Sequence, residues 1–129
     1  MADKIVLVDT SILIDYFRKS EKSNSALVKL FKQGYTFCIS AVTEYEIYSG
    51  ATLSQSGFWE EILKKTKVLA FDQLVVKVAV ETNNNLKRKR KQIAIADLFI
   101  ASTAIAHDLP IATLNRKHFD RIDGLQIVE

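Results

Sequence analysis

The stretch Lys4-Ile5-Val6-Leu7-Val8-Asp9-Thr10-Ser11 decides how this chain folds. Four apolar residues in a row, three of them β-branched, are too few for a helix and suit a strand covered on both faces. An acid and two hydroxyl residues follow at once. From Ser11 to Arg18 the apolar positions Ile12, Leu13, Tyr16 and Phe17 then take up helical spacing. A strand running straight into a helix, with an acid at the junction, is the unit on which the rest is built.

Outward from there the alternation repeats. Strands are expected at residues 35–39, 68–71, 111–113 and 125–128. Helices are expected at residues 25–33 (stopped by Gly34), 42–49 (ended near Gly50), 58–65, 74–87, 94–107 and 116–121. Short apolar strands alternating with helices specify an α/β fold with a short parallel central sheet covered on both faces. The 129 residues form one domain, with no internal repeat or low-complexity linker. In open parallel sheets the functional site lies beyond the carboxyl ends of the strands. Asp9 and Asn115 each follow a strand directly and should reach that edge.

The composition, 48% apolar and 26% charged, is that of an ordinary globular domain. No apolar stretch approaches the roughly 20 residues of a membrane span. The opening Met-Ala-Asp-Lys leads into only four apolar residues, too short for a signal-peptide core, so the expected location is the cytoplasm, with no membrane partner. The single cysteine, Cys38, cannot pair internally and reads as a small buried hydrophobe. The net charge of +3 conceals a local excess. Lys87, Arg88, Lys89, Arg90 and Lys91 are consecutive, and without those five, thirteen basic side chains face fifteen acidic ones. Localised positive charge can steer a polyanion, or can simply solvate a helix end.

Three acids stand out against apolar surroundings. Asp97 is the one polar residue in the run from Ile93 to Ala101, and an ionised carboxylate there costs several kcal/mol unless a cation or hydrogen bonds replace its water. Asp9 closes the first strand, and Glu46 follows the strand containing Phe37, Cys38 and Ile39. Each has a structural alternative. Asp9 could cap its helix, Thr43 and Glu46 stand at capping-box spacing, and Asp97 could be neutralised by a raised pKa. His107 at a helix end and His118 in a charged stretch are not expected to be ligands. A divalent metal shared by the three acids is the simplest common explanation.

Four segments taken together resemble the PIN-domain ribonucleases, and most closely the VapC-type toxins of toxin–antitoxin pairs. They are Val8-Asp9-Thr10-Ser11, the stretch from Ile39 and Ser40 through Thr43 to Glu46 and Ile47, the run from Ile95 through Asp97 to Ala101, and the stretch Thr113-Leu114-Asn115-Arg116-Lys117-His118-Phe119. The resemblance covers essentially the whole chain and implies a PIN-like three-layer α/β/α sandwich. It implies that Asp9, Glu46 and Asp97 hold Mg²⁺ or Mn²⁺, as one ion or two, and selects Glu46 over Glu44. Many members carry a fourth acid where this chain has Asn115, whose amide oxygen can ligate or position water but adds no charge.

Carboxylates are hard oxygen donors suited to these ions and leave coordination positions for water and phosphate. With the RNA substrate that the resemblance implies, such a site would activate water for in-line attack on a phosphodiester, leaving a 5′-phosphate and a 3′-hydroxyl. Thr10 or Ser11 would steady a metal-binding carboxylate, with Thr43 and Asn115 in support. The basic run and Arg116 are the candidate RNA contacts. The resemblance further implies a homodimer, a VapB-type antitoxin as partner, and promoter DNA bound only through that complex. Three rivals remain. A haloacid-dehalogenase-type phosphatase would want an acid at position 11, which is Ser. A response-regulator receiver would want paired acids after the first strand, where Val8 precedes Asp9. A catalytically weak PIN module would act mainly through antitoxin or RNA binding.

Overall fold

Along the first strand, Val6 and Val8 pack into one core and Leu7 into a second, so the sheet is buried on both sides. The computed structural model describes residues 4–128. Four strands, β1 (Lys4–Val8), β2 (Tyr35–Ser40), β3 (Lys67–Leu69) and β4 (Ile111–Ala112), lie parallel in the order β3-β2-β1-β4. Leu7 sits in register with Cys38 on one side and Ile111 on the other. The period-2 alternation continues across the sheet. Ile39 and Ala112 join Val6 and Val8, whereas Cys38, Leu69 and Ile111 join Leu7.

Helices cover each face. Against Val6 and Val8 pack α1 (Thr10–Arg18) through Ile12 and Leu13, α2 (Ala26–Lys32) through Leu27 and Leu30, α3 (Ala41–Gly50) through Ile47, and α4 (Leu53–Leu63) through Trp59 and Leu63. Against Leu7 pack α5 (Gln73–Lys89) through Leu86, α6 (Ile95–Ala106) through Leu98, Ile100, Ala101 and Ala104, and α7 (Arg116–Phe119) through Phe119. This is the three-layer α/β/α sandwich expected from the sequence. No helix among the described residues is long and apolar enough to cross a membrane.

Several boundaries differ from the sequence reading, each for a local reason. The helix expected from residue 58 begins at Leu53, because Gln55 Oε1 accepts the Thr52 amide at 3.0 Å and closes the helix start. The third strand ends at Leu69 rather than at residue 71. Asp72 then caps α5 by accepting the Val75 amide at 3.1 Å. That helix runs two residues further, to Lys89, and stops where Arg90 turns left-handed at φ 57°. The expected terminal strand is a single bridge between Ile127 and Ile111. The middle of α6 is buried, Ser102 and Thr103 included, because their hydroxyls donate to the carbonyls of Leu98 and Phe99 at 2.7 and 2.8 Å. Ile95 at its start is exposed.

The strand order places the site. β1 is flanked by β2 on one side and β4 on the other, so the chain leaves β1 and β4 in diverging directions. A crevice opens beyond their carboxyl ends.

Candidate active site

Asp9 follows β1 directly and is only 3% exposed. It is the N-cap of α1, accepting the Ile12 amide at 3.3 Å, so the capping role and the crevice position belong to the same side chain. Each of its oxygens also receives a hydroxyl. Ser11 donates to Oδ1 at 2.6 Å and Thr113 donates to Oδ2 at 2.5 Å. Those hydroxyls are themselves fixed, since Ser11 Oγ accepts the Leu114 amide at 3.0 Å and Thr113 Oγ1 accepts the Asn115 amide at 2.9 Å. With an amide on its oxygen, each hydroxyl turns its proton to the carboxylate. Burial still pushes the Asp9 pKa above its usual value. The bonds from Ser11, Thr113 and Ile12 pull the other way, and the nearby charge of Asp97 adds to the rise.

Glu46 comes from α3. The cap of that helix is Ser40, whose hydroxyl accepts the Thr43 amide at 3.1 Å, so a Thr43–Glu46 capping box is not what positions the acid. Instead Thr10 reaches across from α1 and donates to Glu46 Oε1 at 2.6 Å. The buried Thr43 hydroxyl lies 3.2 Å from that of Thr10 and 3.4 Å from that of Ser40, joining the two helix starts. Asp97 lies in the first turn of α6, where a helix N-terminus favours negative charge. Its Oδ2 is 2.9 Å from His118 Nδ1, and its side chain is 22% exposed. Asp97 is therefore at the mouth of the crevice, with a partner that its own segment of sequence does not supply.

These groups share one cleft of about 450 Å³. Asp9, Thr10, Ser11, Glu46, Asp97 and Asn115 line it, together with Ile14, Asp15, Arg18, Ile100 and Leu114. Thr43 stands behind the wall. None of Lys87, Arg88, Lys89, Arg90 and Lys91 lines the cleft. Lys89 pairs with Asp123 at 2.7 Å and holds that carboxyl below its usual pKa, and Arg121 donates to the Gln92 carbonyl at 3.3 Å. Asp123 precedes the bridge from Ile127 to Ile111, the first residue of β4. The basic run thus lies toward the edge where β4 begins, away from the carboxylates. Arg116 opens α7 beside Asn115 and donates to the Val128 carbonyl at 3.5 Å.

Three neighbours were not assigned from sequence. Thr113 follows β4 directly as Asp9 follows β1, a symmetry visible once both strands are drawn. His118 stands three residues after Asn115, on the same side of a one-turn helix. Arg18 closes the first amphipathic helix. Among the described residues no three His, Cys, Asp or Glu side chains converge into a finished ligand cage, since Glu46 is drawn to Thr10 and Asp97 to His118. The donor set nevertheless suits a hard divalent cation. Asp9, Glu46 and Asp97 line one cleft together with Asp15, and the most buried, Asp9, has hydroxyl and amide donors but no cation against it.

Comparison with known proteins agrees with this geometry. The PIN domain family model matches residues 6–125. Ribonuclease VapC1 of Methanocaldococcus jannaschii is 33% identical over 127 residues, covering 96% of this chain and 87% of the relative. Ribonuclease VapC10 of Mycobacterium tuberculosis is 28% identical over 122 residues, covering 95% and 91%. Among solved structures, VapBC2 from Rickettsia felis bound to a DNA fragment from its promoter superposes with a TM-score of 0.81 at 25% identity, covering 96% of this chain and 97% of that one. DNA-bound VapBC from Salmonella typhimurium gives a TM-score of 0.86 at 23% identity, covering 98% of both, and shares the fold. With a parallel sheet of this order, an acid-lined cleft at its carboxyl edge and these full-length relatives, the chain belongs to the PIN-domain family, in its VapC-type branch.

Proposed function

We propose that this chain is an endoribonuclease dependent on Mg²⁺ or Mn²⁺, and the toxin of a toxin–antitoxin pair. The observation that carries the reading is the placement of Asp9, Glu46 and Asp97 on one cleft at the carboxyl edge of the sheet. Asp9, Glu46 and Asp97 would hold the ion. When bound, the ion supplies Lewis acidity to the scissile phosphate and to the attacking water. Ser11 and Thr113 steady the Asp9 carboxylate, and Thr10 steadies Glu46, both at the wall of the cleft. Asn115 offers an amide oxygen at the same wall without adding charge, which favours one tightly held ion over two.

Ser11 argues against the phosphatase alternative. Its hydroxyl is committed to Asp9 and carries no acidic proton to a leaving group. The named relatives are ribonucleases and toxin–antitoxin complexes, two of them on DNA, which supports a VapB-type antitoxin as partner. A homodimer, and promoter DNA reached only through the antitoxin complex, complete the proposal.

The test is the chemistry of the cut ends. Hydrolysis by this route leaves a 5′-phosphate, so fragments from an RNA pool should ligate to an adaptor that requires one. Fragments ending in a 2′,3′-cyclic phosphate would mean that the RNA's own 2′-hydroxyl attacks, and the reading would fail.

A further inference from the structure

An acid-lined cleft repels the phosphates it must receive, so its wall needs a cation. Among the described residues lining this cleft, Arg18 is the one cationic side chain. It is exposed, and no hydrogen bond or ion pair among the described residues engages it. The acid nearest to it in sequence that also lines the cleft, Asp15, is already taken. Its Oδ2 accepts the Ala26 amide at 2.9 Å, and its Oδ1 lies 3.6 Å from Lys19 Nζ. The basic run at the end of α5 lines no part of the cleft, and Lys89 within it is spent on Asp123. Arg18 closes α1 and Asp9 caps its start, which puts their backbones about 13.5 Å apart along the helix. A guanidinium is a planar fork of donors that matches a phosphate and keeps its charge at any working pH.

We propose that Arg18 holds the RNA strand in the cleft by binding a backbone phosphate other than the one attacked at the carboxylates. This assignment rests on the endoribonuclease reading above. It makes α1 the floor of the substrate path, with the reacting phosphate at one end and the anchored phosphate at the other. Arg18 contributes to binding and not to the bond-breaking step.

The experiment has two arms. In the first, a fluorescently labelled RNA oligonucleotide is titrated with Asp97→Asn protein, with and without Arg18→Gln, by anisotropy across a salt series. Removing one charge-assisted phosphate contact should weaken binding about tenfold. It should also flatten the slope of log affinity against log salt by about 0.7. In the second arm, Arg18→Gln in the otherwise unaltered protein should raise KM for an RNA pool by the same factor and leave kcat unchanged. Arg18→Lys should recover part of the binding. An unchanged affinity in Arg18→Gln overturns the assignment, as does a loss confined to variants that neutralise residues 87–91. A fall in kcat at constant KM also overturns it, because Arg18 would then act on the reacting phosphate. Cleavage by the unaltered protein distinguishes these failures from failure of the ribonuclease reading, in which it neither cleaves nor binds RNA.

Discussion

Thr113 and Asp9 are 104 residues apart in sequence, yet the Thr113 hydroxyl donates to Asp9 Oδ2 at 2.5 Å. The bond ties the end of β4 to the end of β1 across the crevice. The same hydroxyl oxygen accepts the Asn115 amide, so one side chain sets both the aim of the buried carboxylate and the position of Asn115. Thr113→Val removes it at nearly constant volume and should lower both cleavage and metal affinity about 10- to 100-fold. Thr113→Ser should restore most of each. Calorimetric metal titration alongside cleavage rates checks this, and equal losses in the Ser and Val variants would show that the methyl group rather than the hydroxyl matters.

Asp9 should destabilise the metal-free protein at neutral pH. Burial raises its pKa in the folded state, so across the window from the usual 3.8 up to that raised value the folded chain binds more protons than the unfolded one. Stability contributed by protonated Asp9 is therefore complete below 3.8 and is lost as pH rises through the folded pKa. Asp9→Asn keeps an acceptor oxygen for the helix cap and removes the charge, and its amide nitrogen donates to the one of the Ser11 and Thr113 hydroxyls that no longer has an oxygen to donate to. In EDTA at pH 7 it should raise the Tm, by an amount on the order of 1 kcal/mol in stability. The gap should close as the pH falls toward 3. Mg²⁺ or Mn²⁺ should raise the Tm of the unaltered protein and leave that of Asp9→Asn where it was. Thermal melts over pH, with and without metal, would expose the opposite order.

His118 and Asp97 form a pair at 2.9 Å, with side chains 53% and 22% exposed. Solvent screens such a pair, so His118→Ala should change stability by less than about 1 kcal/mol. Its activity loss should be far smaller than that of Asp97→Asn, because in the proposed site the histidine steadies a carboxylate and would not hold the ion. Equal losses from the two variants would make His118 a ligand.

Lys22 Nζ donates to the carbonyls of Tyr16, Phe17 and Lys19 at 2.7–2.9 Å and so closes the carboxyl end of α1. Lys22→Met should cost about 1–3 kcal/mol in denaturant unfolding, since it strips a charged donor from three carbonyls. A change near zero would mean that water replaces the ammonium freely.

The parts of this fold that were legible in the sequence are those carried by short-range pattern. Residues 5–8 read as a strand because nothing polar interrupts them, and Gly34 marks the stop of α2 by adopting φ 92°. The start of α4 was hidden, because Ser54, Gln55, Ser56 and Gly57 show no apolar period and the helix there depends on one side-chain cap. Asp9, Glu46 and Asp97 could be singled out as acids in apolar settings. Their partners Thr113 and His118 could not, since both contacts exist only once β4 lies beside β1 and α7 folds back over α6. The basic run illustrates the same limit from the other side. Its charge is plain in the sequence, but its distance from the cleft depends on where α5 ends relative to the sheet.

The proposed function stands or falls on metal-dependent cleavage carried by Asp9, Glu46 and Asp97. Its most direct test is the cutting of a mixed structured-RNA pool by purified protein in Mg²⁺, in Mn²⁺ and in EDTA, with Asp97→Asn run alongside and its fold checked by circular dichroism. Cleavage is expected with either ion, none in EDTA, and none from a folded Asp97→Asn protein. Cleavage that survives EDTA or the substitution would contradict it.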